Sequence, residues 1–318
     1  MKKRFLIVAA VLTAFMATAS LSAYPVSGRT DAQISNVADD PAAPVTRNFN
    51  LKGFTGIDVS GMVSVELTKS PDWKVNVTLP KELEEYLSVR VLEGELTISL
   101  NNVPKKGLLK FKNPEVKAEV SMPDLRSLEM SGATSLTCDD TFDLGKGQFE
   151  MELTGASKVK KLGVNADELY IEVGGASSVS LTGSFNEVEG EFSGAANCVL
   201  NIDAGKFTAE ISGASKIYNS GTFGDIKAEA SGASVFSVKG EASRMSLMAS
   251  GAAKLETFEC ETSKADLIMS GASYCEINAV ESLKVNLSGA SSLRYKDNPD
   301  VNVTTGSISR AASIQKVK

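Results

Sequence analysis

Glutamates recur through the middle of this chain at nearly constant spacing: Glu129, Glu152, Glu172, Glu191, Glu210 and Glu229, with Glu150 and Glu189 beside them. Regularly spaced carboxylates support two kinds of chemistry. Pairs about 5 Å apart suit a retaining glycosidase, and pairs of about 6.5 Å or more an inverting one. Columns of carboxylates also attract hard, oxygen-preferring cations such as calcium, or a basic partner surface. The enzyme reading needs a pocket that singles out one carboxylate and raises its pKa. A repeated pattern offers the same pair everywhere and singles out none, and the only aromatic among these positions is Tyr170. Catalytic residues are therefore expected to be absent. The expected binding face is Glu150, Glu152, Glu172, Glu189, Glu191, Glu210 and Glu229. It carries no dedicated cofactor, at most weakly held calcium, with Lys158, Lys160, Lys161 and Lys227 as nearby counter-charges. Stacked at the strand spacing, neighbouring glutamates would repel by ~0.9 kcal/mol per pair even in bulk water.

The element that places them is a repeat. Gly-Ala pairs begin at Gly132, Gly155, Gly175, Gly194, Gly213, Gly232, Gly251, Gly271 and Gly289, about nineteen residues apart. All but Gly175 follow Ser or Thr. Two, four and six residues before each glycine, and four after it, the residues are apolar or small, with Arg126 the exception. Such alternation marks a half-buried strand. A repeat this short cannot bury its own apolar side, so successive coils must share a core. The fold expected is all-β: a parallel β-helix, or β-solenoid, of about nineteen residues per coil, right-handed because parallel crossovers nearly always are. Each Ser-Gly-Ala-Ser is a coil corner, glycine serving a positive φ and alanine fitting a crowded position. No helical pattern follows the glycines, so a phosphate-cradling loop is not expected.

The organisation follows. Residues 1–23 read as a signal peptide: Lys2, Lys3 and Arg4, an apolar run from Phe5 to Met16, and small residues that allow cleavage after Ala19 or Ala23. Residues 24–46 read as a flexible leader, and 47–318 as a single β-helix domain. Within it, 47–125 holds irregular first coils, 126–295 the regular repeat and 296–318 a degenerate cap with Arg310 in the glycine's place. Thr55 to Gly61 already matches the repeat, Pro80–Ser88 suggests a short helix with Leu83, Tyr86 and Leu87 on one side, and Lys105–Asn113 a loop. No later segment is apolar enough to span a bilayer, so the destination expected is the periplasm, the outer surface or the medium.

Charge and composition narrow the function. Removing the signal peptide takes the formal charge from −6 to −9, unfavourable for nucleic acid. The chain has no histidine, which removes the commonest general base and most zinc sites. The four cysteines fall in different coils: Cys198 and Cys275 share a column four coils apart, about 19 Å at the strand spacing. A disulfide needs Cα atoms within about 7 Å, so buried free thiols are expected.

The corners, preceded by Phe54-Thr55-Gly56-Ile57-Asp58-Val59-Ser60-Gly61 and closed by Leu293-Arg294-Tyr295, resemble the putative auto-transporter adhesin, head GIN domain family over roughly residues 46–310. The resemblance implies a β-helix in the cell envelope of Bacteroides-like bacteria and carries no catalytic residues to transfer. The function expected is an exported, non-enzymatic, adhesin-like module that binds a surface protein or glycan. The alternatives are a carbohydrate-active enzyme on the same scaffold and a passive envelope spacer.

Overall fold

The computed structural model describes residues 44–104 and 115–318, and these form one stacked β-solenoid of about ten turns. The signal peptide, most of the leader and the Lys105–Asn113 loop lie outside the described residues.

The chain enters through β1 (Pro44–Phe49), whose first three residues belong to the stretch read as leader. Then β2 (Gly56–Gly61) and β3 (Val63–Lys69) form a coil of the repeat type. β4 (Lys74–Pro80), a 3-10 helix (Lys81–Tyr86) and a hairpin of β5 (Leu87–Leu92) and β6 (Glu95–Leu100) follow. The helix is shorter than expected: Leu83 is buried, Tyr86 is partly so, and Leu87 already starts β5. β7 (Val116–Met122), β8 (Ser127–Gly132), β9 (Ser135–Asp143) and β10 (Gln148–Leu153) return to the stack.

The chain then doubles back on its beginning. β2 lies between β6 and β8, parallel to both, and β3 between β7 and β9. Gly61 is thereby paired with Gly132, although much of the N-terminal section separates them in sequence. Antiparallel pairs β5–β6, β4–β7 and β1–β4 finish this end.

From β11 (Lys158–Val173) onward each coil is one continuous ladder: β12 (Ser178–Phe192), β13 (Asn197–Ile211), β14 (Lys216–Ala230), β15 (Val235–Ala249), β16 (Lys254–Met269) and β17 (Tyr274–Leu287). Coil-to-coil hydrogen bonding runs through the bends and continues across the Gly-Ala corners, with register shifts at Val159/Leu162, Ser237/Gly240 and Thr257/Glu261. β18 (Ser292–Lys296), β19 (Asn302–Ile308) and β20 (Ser313–Val317) close the rod. The last coil departs from the rest. Arg310 is not among the residues with positive φ, and β19 is mostly exposed.

The corner glycines are required twice over. Gly213 has φ +69°, and a Cβ there would lie 2.5 Å from the Gly194 carbonyl oxygen. That carbonyl accepts the Ala214 N–H at 2.7 Å, so the stacking hydrogen bond leaves no room for a side chain. Alanine's role differs from expectation. Ala156 and Ala214 are exposed, and it is the next residue that turns inward. Thr134, Ser157, Ser177, Ala196, Ser215, Ser234, Ala253, Ser273 and Ser291 are all buried. Small size is what this column needs, because it lines the inside of a sharp bend.

Core packing compensates between columns. A Cβ on Gly190 would lie 2.6 Å from the Phe192 ring, so the glycine admits the phenylalanine. Phe207 stacks on Phe236 at 6.1 Å and meets Phe223 edge-on at 6.0 Å. Arg126, the exception among the apolar columns, is exposed because it precedes β8.

Candidate functional site

Parallel register turns sequence spacing into a straight column. Glu129 is paired with Glu152, Glu152 with Glu172, Glu172 with Glu191, Glu191 with Glu210 and Glu210 with Glu229. The same register adds Asp58, paired with Glu129, which the sequence reading passed over. The signal for it was present: Asp58 stands three residues before Gly61, as each glutamate stands before its own corner glycine. Towards the C-terminus the column continues as Met248 and Ile268. Glu150 and Glu189 lie one outward position away and are separated from each other by Tyr170.

The column has a second wall. The serines before the corner glycines also face outward, and between the two rows runs an open groove of about 440 Å³. Glu172, Glu191, Glu210 and Glu229 line one side, and Met248 and Ile268 close one end. Ser231 and Ser288 donate to carbonyls of the preceding coil, Ile211 O at 3.4 Å and Met269 O at 3.2 Å. The sequence reading took these serines only as corner residues, although their recurrence was visible.

The electrostatics reflect crowding. Partial burial, and then the charge of the next glutamate along, push Glu129, Glu152, Glu172 and Glu191 above the ordinary carboxylate range. Asp58 is also raised by burial, against the opposing charge of Arg90. Glu95 is raised by burial and by Glu129, Asp58 and Glu150.

The expected counter-charges mostly lie elsewhere. Lys227 does pair with Glu229, at 3.1 Å. Lys161 instead pairs with Asp139 at 2.8 Å. Lys158 and Lys160 leave the next strand beyond the corner, on a different side of the rod from the glutamates. The reason is geometric: the corner lies between Glu152 and these lysines and changes the face, however close the residues look in sequence.

Among the described residues no group of three or more His, Cys, Asp or Glu side chains could hold a metal ion, and no helix is long and apolar enough to cross a membrane. All four cysteines are buried and unpaired. Burial pushes the Cys138 thiol up to about 11 and those of Cys198 and Cys260 to about 12, and also raises Cys275. The thiolate is scarce at neutral pH, so these sulfurs pack rather than react.

Residues 53–200 and 186–299 match the family described as putative auto-transporter adhesin, head GIN domain. No curated protein is significantly similar to the chain. Among solved structures, a putative adhesin from Parabacteroides distasonis shares 19% identity at a TM-score of 0.52, covering 87% of this chain and 98% of that one. A putative lipid binding protein from the same species shares 20% at 0.48, covering 86% and 97%. A putative adhesin from Parabacteroides merdae shares 16% at 0.46, covering 86% and 96%. At these identities the first likeness speaks to the fold.

Proposed function

This chain belongs to the putative auto-transporter adhesin, head GIN domain family, and we propose that it is an exported, non-enzymatic, adhesin-like module whose contact face is the acidic groove. The observation that carries the reading is the unbroken run of carboxylates from Asp58 to Glu229, of which Glu172, Glu191, Glu210 and Glu229 line one wall of an open groove. Alternating signs or threonines on a sheet face would be more stable than like charges directly opposite one another. Four members of the run have their pKa raised by burial and by a neighbour's charge, so the folded chain holds repulsion that a basic partner would relieve. Glu150 and Glu189 widen the acidic face, and the apolar Met248 and Ile268 end it. The same carboxylate spacing recurs on successive coils from Glu129 to Glu229, which suits an extended contact better than a reaction centre. Family membership supports export to the envelope or surface.

An array of glycans and matrix proteins probed with the chain lacking residues 1–23 tests this, beside a Glu191→Gln/Glu210→Gln variant. Binding should favour basic partners, weaken with salt and fall at least several-fold in the variant. Calcium is the competing occupant, so the array is repeated with calcium and with chelator. Equal binding by variant and wild type, or no binding by either, would overturn the reading.

A further inference from the structure

We propose that the side of the rod beyond the corners carries a second binding site, for a neutral oligosaccharide, centred on Val199 and Tyr218. The site goes beyond the acidic groove and shares no residue with it.

Four consecutive coils build it. Residues 178–182, 197–201, 216–220 and 235–239 open β12, β13, β14 and β15 and stack in register. They hold no Asp or Glu, in a chain that has 39 such residues. Their central outward column is Ser180, Val199, Tyr218 and Ser237. Asn197 and Asn201 stand on either side of Val199, both exposed. The two lysines lie at the margins: Lys216 in the column next to the corner, and Lys239 in the last of the four coils, held by Glu259 at 2.9 Å. Charge resumes at both ends of the stretch, with Lys158 beside Ser178 and Glu256 beside Ser237.

The groups on this side are uncommitted. Val199 and Tyr218 are neighbours in register, 41% and 39% exposed. Elsewhere on the rod, outward aromatics are engaged by the chain itself. Tyr170 donates to Glu168 at 3.0 Å and Tyr274 to Glu276 at 2.6 Å, and Arg294 and Lys296 lie over the Phe258 ring at 5.6 and 5.9 Å. Tyr218 has no hydrogen bond, ring contact or cation contact among the described residues, so both its phenol and its ring are open to a ligand. Asn197 makes no side-chain hydrogen bond among the described residues either. Ser220 donates to Asn201 Oδ1, which leaves the Asn201 Nδ2 to donate outward.

That chemistry selects a sugar. Sugar hydroxyls both donate and accept, as Ser, Asn and Tyr side chains do, whereas a carboxylate only accepts and an ammonium only donates. The C–H face of a sugar ring is apolar and packs on an amphipathic aromatic such as tyrosine, with Val199 extending the apolar strip. Size points the same way. Four coils span about 14 Å along the rod and Asn197 to Asn201 about 13 Å across it, a footprint of about 190 Å². This is about a quarter of the ~800 Å² that a protein partner covers on each side of a standard interface. A short oligosaccharide fits it. Affinity at one site should be about millimolar, because an open face covers only one side of the ligand.

Saturation-transfer NMR and titration of the chain lacking residues 1–23 test the proposal. The probes are neutral tri- and tetrasaccharides of glucose, mannose, galactose and N-acetylglucosamine. At least one should bind, and its binding should persist at ~500 mM salt, where surface charge is screened. Tyr218→Ala removes the ring, and Asn197→Asp/Asn201→Asp keeps the shape while replacing amide donors by charge. Each should weaken binding by at least about tenfold with an unchanged circular dichroism spectrum. Glu191→Gln/Glu210→Gln should leave it unchanged. No binding by any probe, binding that survives either substitution on this side, or binding abolished by salt overturns the proposal. So does loss of binding in the glutamate variant, which would place the sugar in the groove. Neutral probes report on this side and basic partners on the groove, so the two readings fail separately.

Discussion

The N-terminal section, residues 44–122, and the coils from β8 onward solve the same problem differently. Both must satisfy backbone hydrogen bonds and bury one side of each strand. The later coils do so by parallel stacking, with a glycine at each corner up to Gly289. The N-terminal section inserts one repeat-like coil into the stack and then covers it with antiparallel strands, a hairpin and a 3-10 helix. The antiparallel pairs end coil addition at that end, because their edges no longer offer the register of the repeat. Repetition yields a long uniform face, and departure from it provides a stop.

Glycine substitutions should expose this difference most strongly. Gly213→Ala must move a Cβ away from a carbonyl 2.5 Å distant while holding φ at +69°. Gly94, in the β5–β6 hairpin, also has positive φ, at +85°, but a Cβ there meets nothing within 4 Å. Chemical denaturation should show Gly213→Ala losing at least about 3 kcal/mol and Gly94→Ala about 1 kcal/mol. Equal losses would mean that the corner stacking is not what demands glycine.

A smaller effect of opposite sign is expected inside the regular coils. Asn219 is buried, and neither its Oδ1 nor its Nδ2 has a hydrogen-bond partner. Its neighbours in the inward column are Leu200 and Val238. Asn219→Leu should stabilise the fold by about 1–2 kcal/mol, read as a higher denaturation midpoint. Destabilisation would show that the amide holds partners in solution.

The acidic column should give the smallest effect, and one that depends on pH. Glu129, Glu152, Glu172 and Glu191 have folded pKa values above their ordinary 4.5. Between the unfolded and folded values the folded chain binds more protons, so stability falls as pH rises through that window. The repulsion is fully present above it and relieved below the unfolded value. Glu172→Gln/Glu191→Gln should therefore raise the melting temperature at pH 7, by no more than the equivalent of about 1 kcal/mol given the exposure of the site. Near pH 3.5 the gain should vanish. A gain independent of pH would place its origin in packing rather than charge.

Much of this was legible beforehand because a repeat averages out local ambiguity. A single Leu-Glu-Met run is weak evidence for a strand, but nine aligned corners fix the inward columns, and the burial of Phe149, Leu169, Phe207 and Leu283 follows. The N-terminal section has one copy of the motif and no second to align it with. Its alternation revealed strands such as β4 and β7, but not that they run antiparallel, nor that Gly61 stacks on Gly132. The acidic column was readable from Glu129 to Glu229 for the same reason that the core was.

By itself the sequence determined the coil length, the inward and outward alternation, the glycine corners and the isolation of the four thiols, since each follows from periodicity along one chain. Only the tertiary structure decided which side of a corner each charge occupies. Lys158 and Glu152 are close in sequence yet face different ways, because a positive-φ glycine turns the strand between them. It also decided that the serine row and the glutamate row enclose a groove, and that Asp58 joins the column. Those are relations between coils, and they exist only once hydrogen bonds have set the register of one coil on the next.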